Sequence, residues 1–303
     1  MFVTDWYLEG ECLFKQPRSA LMIKIGGSVL DAEFESGHAV IGQLVAPLKE
    51  LQQNFDVFIT PGGGPAWDVR KLWRKRYGTS AEDFKELAKL NLKLNAMELA
   101  IAFGKHARLC PPQEFQPELF IAQKNVEYVR ICYWLPFSLI NEPEQAIQSD
   151  LQTLLLAEAL AQTYDEVNVV FIKRTEGIYY YDPRLNNSKI ENILSNSLIS
   201  ANNRQQYLKL VQTMKRYEVA GDTANQANLM IVKTSEFLSG KISRLGEDGD
   251  DDHLMERSAI EFLHDASHKI SEVGIIHYAQ TQYILEMINT PKKNAPYSLI
   301  RRG

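Results

Sequence analysis

The sequence predicts an α/β protein built on a mostly parallel sheet with helices on both faces. Two observations carry that expectation. Two short apolar, β-branched runs, ALMIKIGGSVL (20–30) and DVFITPGGG (56–64), each end in clustered glycines. Segments of helical period then alternate with strand-like runs along most of the chain, the pattern of β-α-β units. The length of 303 residues admits one large domain or two ordinary ones.

Taken in order, residues 1–20 lack periodicity and read as an N-terminal extension. ALMIKIGGSVL is a strand with a turn, HAVIGQLVAPLKELQQNF has apolar residues at helical intervals, and DVFITPGGG is a second strand with a turn. PAWDVRKLWRKRYG starts a helix, and SAEDFKELAKLNLKLNAMELAIAFG makes a longer one, with Ser80 and Asp83 placed as N-cap and N3 residue. FQPELFIAQKNVEYVRICYWLPFSLI suggests one or two strands. SDLQTLLLAEALAQTY is an amphipathic helix, and EVNVVFIKRTEGIYYYDPRL a strand entering a turn-rich loop. Residues 186–252 lose the pattern and end in the acidic LGEDGDDDH, so an insertion or mobile lid is expected there within a single domain spanning 21–303. LMERSAIEFLHDASHKI reads as a helix, SEVGIIHYA as a strand, and PYSLIRRG follows.

Composition narrows the function classes. The chain is 45% hydrophobic and 23% charged, without an apolar run long enough to span a bilayer. Its N-terminus carries acids where a secretory signal needs bases, so a cytoplasmic location is expected, with no membrane partner. A net charge of −5 lacks the basic surplus of a nucleic-acid footprint. The dense basic stretch at 69–78 is better read as a solvated helix face. Cys12, Cys110 and Cys132 are far apart and odd in number, which fits neither a disulfide framework nor a CxxC site.

The glycine clusters suggest chemistry. A strand ending in glycines presents backbone N–H groups beyond the sheet edge with no side chain in the way, a site for phosphate oxygens. Lys24 precedes Gly26 by two residues and shares its side of the pleat. An ammonium inside an apolar strand is costly unless a partner meets it, and a polyphosphate is one such partner. Neither GGSVLD nor GGGPAW fits the P-loop or the dinucleotide-binding glycine motif.

IKIGGSVL, ITPGGGP, SDLQTLLLAEAL and EGIYYYDP together resemble, in order, the signature segments of the amino acid kinase superfamily. The likeness covers about 20–185 and, more loosely, 253–302, and lies nearest the uridylate kinase, small-phosphate kinase and molybdenum storage branch. It implies a three-layer α/β/α sandwich that binds ATP with Mg²⁺ and transfers phosphate to a small anionic acceptor, a phosphomonoester or a carboxylate. By that resemblance Lys24 touches the transferring phosphoryl group, and Asp150 positions the lysine. Gly26, Gly27 and Ser28 hold ATP phosphates; Lys173, Gly177, Tyr179, Asp182 and Pro183 lie against the nucleotide; Gly62, Gly63, Gly64 and Pro65 line the acceptor side. A homodimer through central helices, or a hexamer of such dimers, is implied as well.

Departures from the pattern keep other readings open. Glu176, Tyr180 and Tyr181 replace smaller or different residues of the nucleotide loop, and no late lysine segment is evident. The closing LMERSAIEFLHDASHKISEVGIIHY also resembles molybdenum storage subunits, which bind ATP and hold molybdate or tungstate. His264 and His268, four apart, would share a helix face as metal ligands could, although no third ligand is evident. A storage role and a non-catalytic pseudokinase therefore stand beside the kinase reading, and no metal-ligand set is assigned.

Overall fold

A computed structural model describes residues 19–27, 29–30, 40–64, 76–78, 80–122, 128–134, 149–174, 231–239, 255, 257–291 and 297–303. Within them, eight strands form one sheet: β1 (Ser19–Ile25), β2 (Phe55–Pro61), β3 (Ala107–Cys110), β4 (Val129–Cys132), β5 (Val167–Lys173), β6 (Ile231–Lys233), β7 (Glu272–His277) and β8 (Tyr297–Arg301). The helices are α1 (Val40–Leu51), α2 (Ala81–Phe103), α3 (Pro117–Ala122), α4 (Ser149–Leu160), α5 (Thr234–Leu238), α6 (Arg257–His264) and α7 (Ile284–Asn289).

The strand order is β3-β4-β2-β1-β5-β7-β8-β6. Only the β7–β8 pairing is antiparallel; every other pairing is parallel. β1 lies between β2 and β5, with Lys24 in register with Thr60 on one side and Phe171 on the other. The crossover from β1 to β2 changes direction relative to that from β4 to β5, so the carboxyl ends of β1, β2 and β5 form the natural ligand edge of such a sheet.

Period-two alternation distributes β1 between two cores. Leu21, Ile23 and Ile25 pack with Val57 and Ile59 beneath α1, α2 and α7, through Leu44, Leu48, Leu99, Phe103 and Ile284. Ala20 and Met22 pack with Phe58 and Phe171 against α3, α4 and α6, through Phe120, Leu154, Ala157 and Leu263. The result is the expected three-layer sandwich. Each face of the central strands is apolar, which is why ALMIKI reads as a nearly continuous hydrophobic run instead of an alternating one.

Local chemistry sets several boundaries. Ser80 caps α2 as its spacing predicts: its Oγ accepts from the Asp83 N–H at 3.0 Å, with Glu82 and Asp83 in the first turn. The QPELFI stretch, expected as strand, is instead helical in α3, because Pro117 suits a first helical turn and Glu118 favours its positive end. The neighbouring strand is ARLC, four residues that are too short to stand out by periodicity. The helix expected over LMERSAIEFLHDASHKI stops at His264, where the Ser267 N–H turns back to Asp265 Oδ1 at 2.8 Å. Within the span read as an insertion, β6 pairs in parallel with β8 and α5 packs Phe237 into the core; 186–230 and 240–252 lie outside the described residues.

Candidate active site

Lys24, Asp150 and Lys173 meet at the carboxyl edge of β1 and β5. Lys24 and Lys173 share strand parity with Met22 and Phe171, so both extend toward the face covered by α4. Asp150, at the start of α4, forms an ion pair with Lys24 and receives Lys173 Nζ at 3.4 Å on both carboxylate oxygens. All three side chains are buried, Lys24 at 3% and Asp150 at 2% exposure. Both ammonium groups lie near the Phe171 ring, Lys24 Nζ at 5.5 Å and Lys173 Nζ at 5.4 Å from its centroid. The α4 N-terminus adds partial positive charge beside the carboxylate. The triad therefore gathers two ammonium groups around one carboxylate where desolvation is severe, and such ammonium groups suit phosphate oxygens.

The two glycine turns interlock at this edge. Gly62 N–H donates to Ile25 C=O at 2.7 Å, while Gly26 N–H donates to Ile172 C=O at 2.9 Å. A Cβ on Gly62 would stand 2.3 Å from the Gly27 nitrogen, and one on Gly27 would stand 2.8 Å from the Gly64 nitrogen. The backbones approach so closely that only glycine fits, and Gly64 also has φ +66°. The N–H groups of Gly26 and Gly62 are taken by these bonds, so a phosphate oxygen at this edge would have to be met by the remaining N–H groups of the two turns.

Side chains that the sequence reading passed over hold the second turn. Asn95 Nδ2 donates to Gly62 C=O at 2.7 Å and to Gly63 C=O at 2.9 Å, and Asn91 Nδ2 donates to Gly63 C=O at 2.5 Å. Both asparagines are buried on α2, one turn apart. The only trace in the sequence is a pair of amides at i and i+4 in LNLKLN, which without the packing partner resembles any polar face. Thr60 and Thr153 share a 2.8 Å hydroxyl contact that ties β2 to the first turn of α4, and Thr153 donates onward to Ser149 C=O.

Among the residues singled out by sequence, Lys24, Gly26, Gly27, Gly62, Gly63, Gly64, Asp150 and Lys173 gather at one edge. Ser28, Pro65, Gly177, Tyr179, Asp182 and Pro183 lie outside the described residues, as do Trp67 and Trp73. His264 and His268 do not form a pair on one helix face. α6 ends at His264, whose Nδ1 bonds Thr234 Oγ1 at 2.9 Å, while His268 stacks on Phe262 at 3.7 Å. Among the described residues, no group of three or more His, Cys, Asp or Glu side chains could hold a metal ion.

Two cysteines far apart in sequence become neighbours. Cys110 and Cys132 are register partners on β3 and β4, both free and buried. The Cys132 thiol donates to Cys110, and with Arg130 nearby this holds Cys110 below the ordinary thiol range. Cys132 is held well above it by the same hydrogen bond and by burial.

The ATP and Mg²⁺ expected from the sequence can be tested against these groups. The two ammonium groups beside the side-chain-free glycine turns fit a polyphosphate. Asp150 is already engaged by two lysines, so the described residues offer no protein cage for Mg²⁺. A magnesium ion carried by phosphate oxygens and water suits such a site.

No protein-family model matches the sequence, and no curated protein matches it. Solved structures do match the fold. UMP kinase from Bacillus anthracis superposes with a TM-score of 0.54 at 12% identity, over 95% of this chain and 97% of that one. Uridylate kinase from Archaeoglobus fulgidus gives 0.55 at 16% identity, over 93% and 99%. Aspartate kinase from Synechocystis gives 0.54 at 12% identity, over 94% of this chain and 40% of that one. These are amino acid kinase superfamily structures, and this chain has their fold.

Proposed function

We propose that the protein is an ATP- and Mg²⁺-dependent small-molecule kinase that transfers the γ-phosphoryl group directly to an anionic acceptor, a phosphomonoester or a carboxylate. The observation that carries this reading is the buried triad of Lys24, Asp150 and Lys173 beside two interlocked glycine turns. The kinase fold of the structural neighbours supports it. Phosphoryl transfer needs alignment and neutralisation of spreading negative charge, with little covalent work from the protein. Here the Gly26–Gly27 turn would hold the ATP phosphates, and the Gly62–Gly64 turn the acceptor end. Lys24 would neutralise charge on the transferring group while Asp150 fixes both ammonium positions. As the acceptor oxygen bonds phosphorus, the bond to ADP breaks. An anionic acceptor needs no general base, so none is assigned. Bound magnesium would screen the phosphates from one another.

The chain would act in the cytoplasm, as a homodimer. No helix among the described residues is long and apolar enough to cross a membrane. On α2, Leu90, Leu94, Met97 and Ile101 are exposed at 56%, 51%, 40% and 78%. Their spacing of four, three and four puts them on one stripe of the helix surface. A two-fold axis across that stripe would bury it from both copies at once, and its continuity with the helix that braces the acceptor turn favours a second copy as occupant.

The test is ADP release from MgATP over a panel of phosphomonoesters and acyl acids, with Lys24→Ala as control. Turnover with one acceptor that collapses in the variant supports the reading. Nucleotide binding with no turnover on any acceptor overturns it in favour of a pseudokinase, and stoichiometric molybdenum or tungsten in the purified protein overturns it in favour of storage.

A further inference from the structure

We propose that Trp134 supplies a hydrogen-bond donor to an anionic oxygen of the acceptor, making its indole a specificity-determining group. The proposal rests on the kinase reading above and adds a subsite to its acceptor side. Trp134 is 3% exposed, yet its Nε1 has no hydrogen-bond partner. Among the described residues it is the only buried side-chain nitrogen or oxygen in that condition. An unpaired buried donor is costly, and native proteins leave few of them without a bound group.

Position connects that donor to the proposed acceptor turn. Trp134 follows β4 by two residues, and β4 runs parallel to β2, so the indole sits at the same sheet edge as Gly62–Gly64. It packs against Ala88 and Leu92 of α2, residues that flank Asn91, whose amide holds Gly63 C=O. One stretch of helix thus seats both the indole and the turn. Lys89 on the same stretch places its Nζ 5.7 Å from the indole ring centroid while pairing with Glu86 at 2.5 Å. The indole N–H only donates, so its partner must be an acceptor, and the anionic acceptor of the kinase reading would supply one. Carboxylate and phosphate share that chemistry.

The test follows the indole N–H resonances of the ¹⁵N-labelled full chain. The chain has four tryptophans, and the Trp134 signal is assigned by substituting Trp6, Trp67 and Trp73 in turn. Inorganic phosphate, UMP and aspartate are titrated separately in the presence of a non-hydrolysable ATP analogue. A saturable downfield shift with phosphate or UMP identifies a phosphate-type partner, and one with aspartate a carboxylate. A resonance unmoved by all three overturns the proposal and leaves water as the partner. Trp134→Phe keeps an aromatic ring against Ala88 and Leu92 while removing the N–H. It should raise the acceptor KM about tenfold or more, the effect of losing one hydrogen bond to a charged group, with the KM for ATP unchanged. An unchanged acceptor KM in a folded variant also overturns it. A shifted resonance without ADP release would overturn the kinase reading but keep the donor; ADP release with an unmoved resonance would do the reverse.

Discussion

Replacing the two ends of the Lys24–Asp150 pair should give opposite signatures. In Asp150→Asn, two ammonium groups remain buried around Phe171 with no carboxylate between them. Removing one member of a buried ion pair typically costs about 3–5 kcal/mol, because the remaining charge is left uncompensated. In Lys24→Met, Asp150 keeps Lys173 at 3.4 Å and an apolar chain of similar length replaces a desolvated ammonium. Stability should then fall by less than in Asp150→Asn, since Lys173 still compensates the buried carboxylate. Turnover should fall by roughly 10²–10³, the usual loss when one group stabilising transition-state charge is removed. Urea unfolding measures the first quantity and ADP release the second. MgATP should raise the melting temperature of Asp150→Asn by more than it raises the wild type, because phosphate restores the missing negative charge. Wild-type stability in Asp150→Asn, or turnover within threefold of wild type in Lys24→Met, would refute the reasoning.

Three further outcomes are expected. Gly62→Ala puts a methyl 2.3 Å from the Gly27 nitrogen and 2.9 Å from the Gly26 carbonyl carbon. Neither is a flexible side chain, so the variant should lose about 3 kcal/mol or more in urea unfolding, together with nucleotide affinity in calorimetry; an undisturbed variant would mean the turns are not interlocked. Cys110 should ionise below the ordinary thiol value as pH rises, because Cys132 donates to its thiolate. Thiolate absorbance near 240 nm should show that early step, and Cys132→Ala should move it upward; a step indifferent to Cys132 would count against the pairing. Leu94→Glu combined with Ile101→Glu should convert a dimer to a monomer in sedimentation velocity, since charges would face each other across the α2 stripe; a dimer that survives the double substitution places the interface elsewhere.

Sequence alone carried the fold class and the centre of the candidate site, because both rest on local signals. A strand buried on both faces must be apolar throughout, so Lys24 within ALMIKI stood out as a charge requiring a partner. Glycines directly after a strand mark backbone left bare, and the order of four motifs identified the kinase-like architecture that the solved structures share. Short or context-dependent features were less legible. ARLC is too brief to show a period, and QPELFI has apolar residues that suit a strand until Pro117 is placed at a helix start.

What tertiary structure decided is which separated segments meet. Strand parity aims Lys24 and Lys173 at one face, but only the packing of α4 brings Asp150 between them. Asn91, Asn95 and Trp134 gain meaning because α2 crosses above the ends of β2 and β4, and β3 beside β4 makes neighbours of Cys110 and Cys132. The same packing separates His264 from His268 by ending their helix early. Periodicity fixes the face on which a residue lies; the partner on that face depends on long-range packing, which no local pattern encodes.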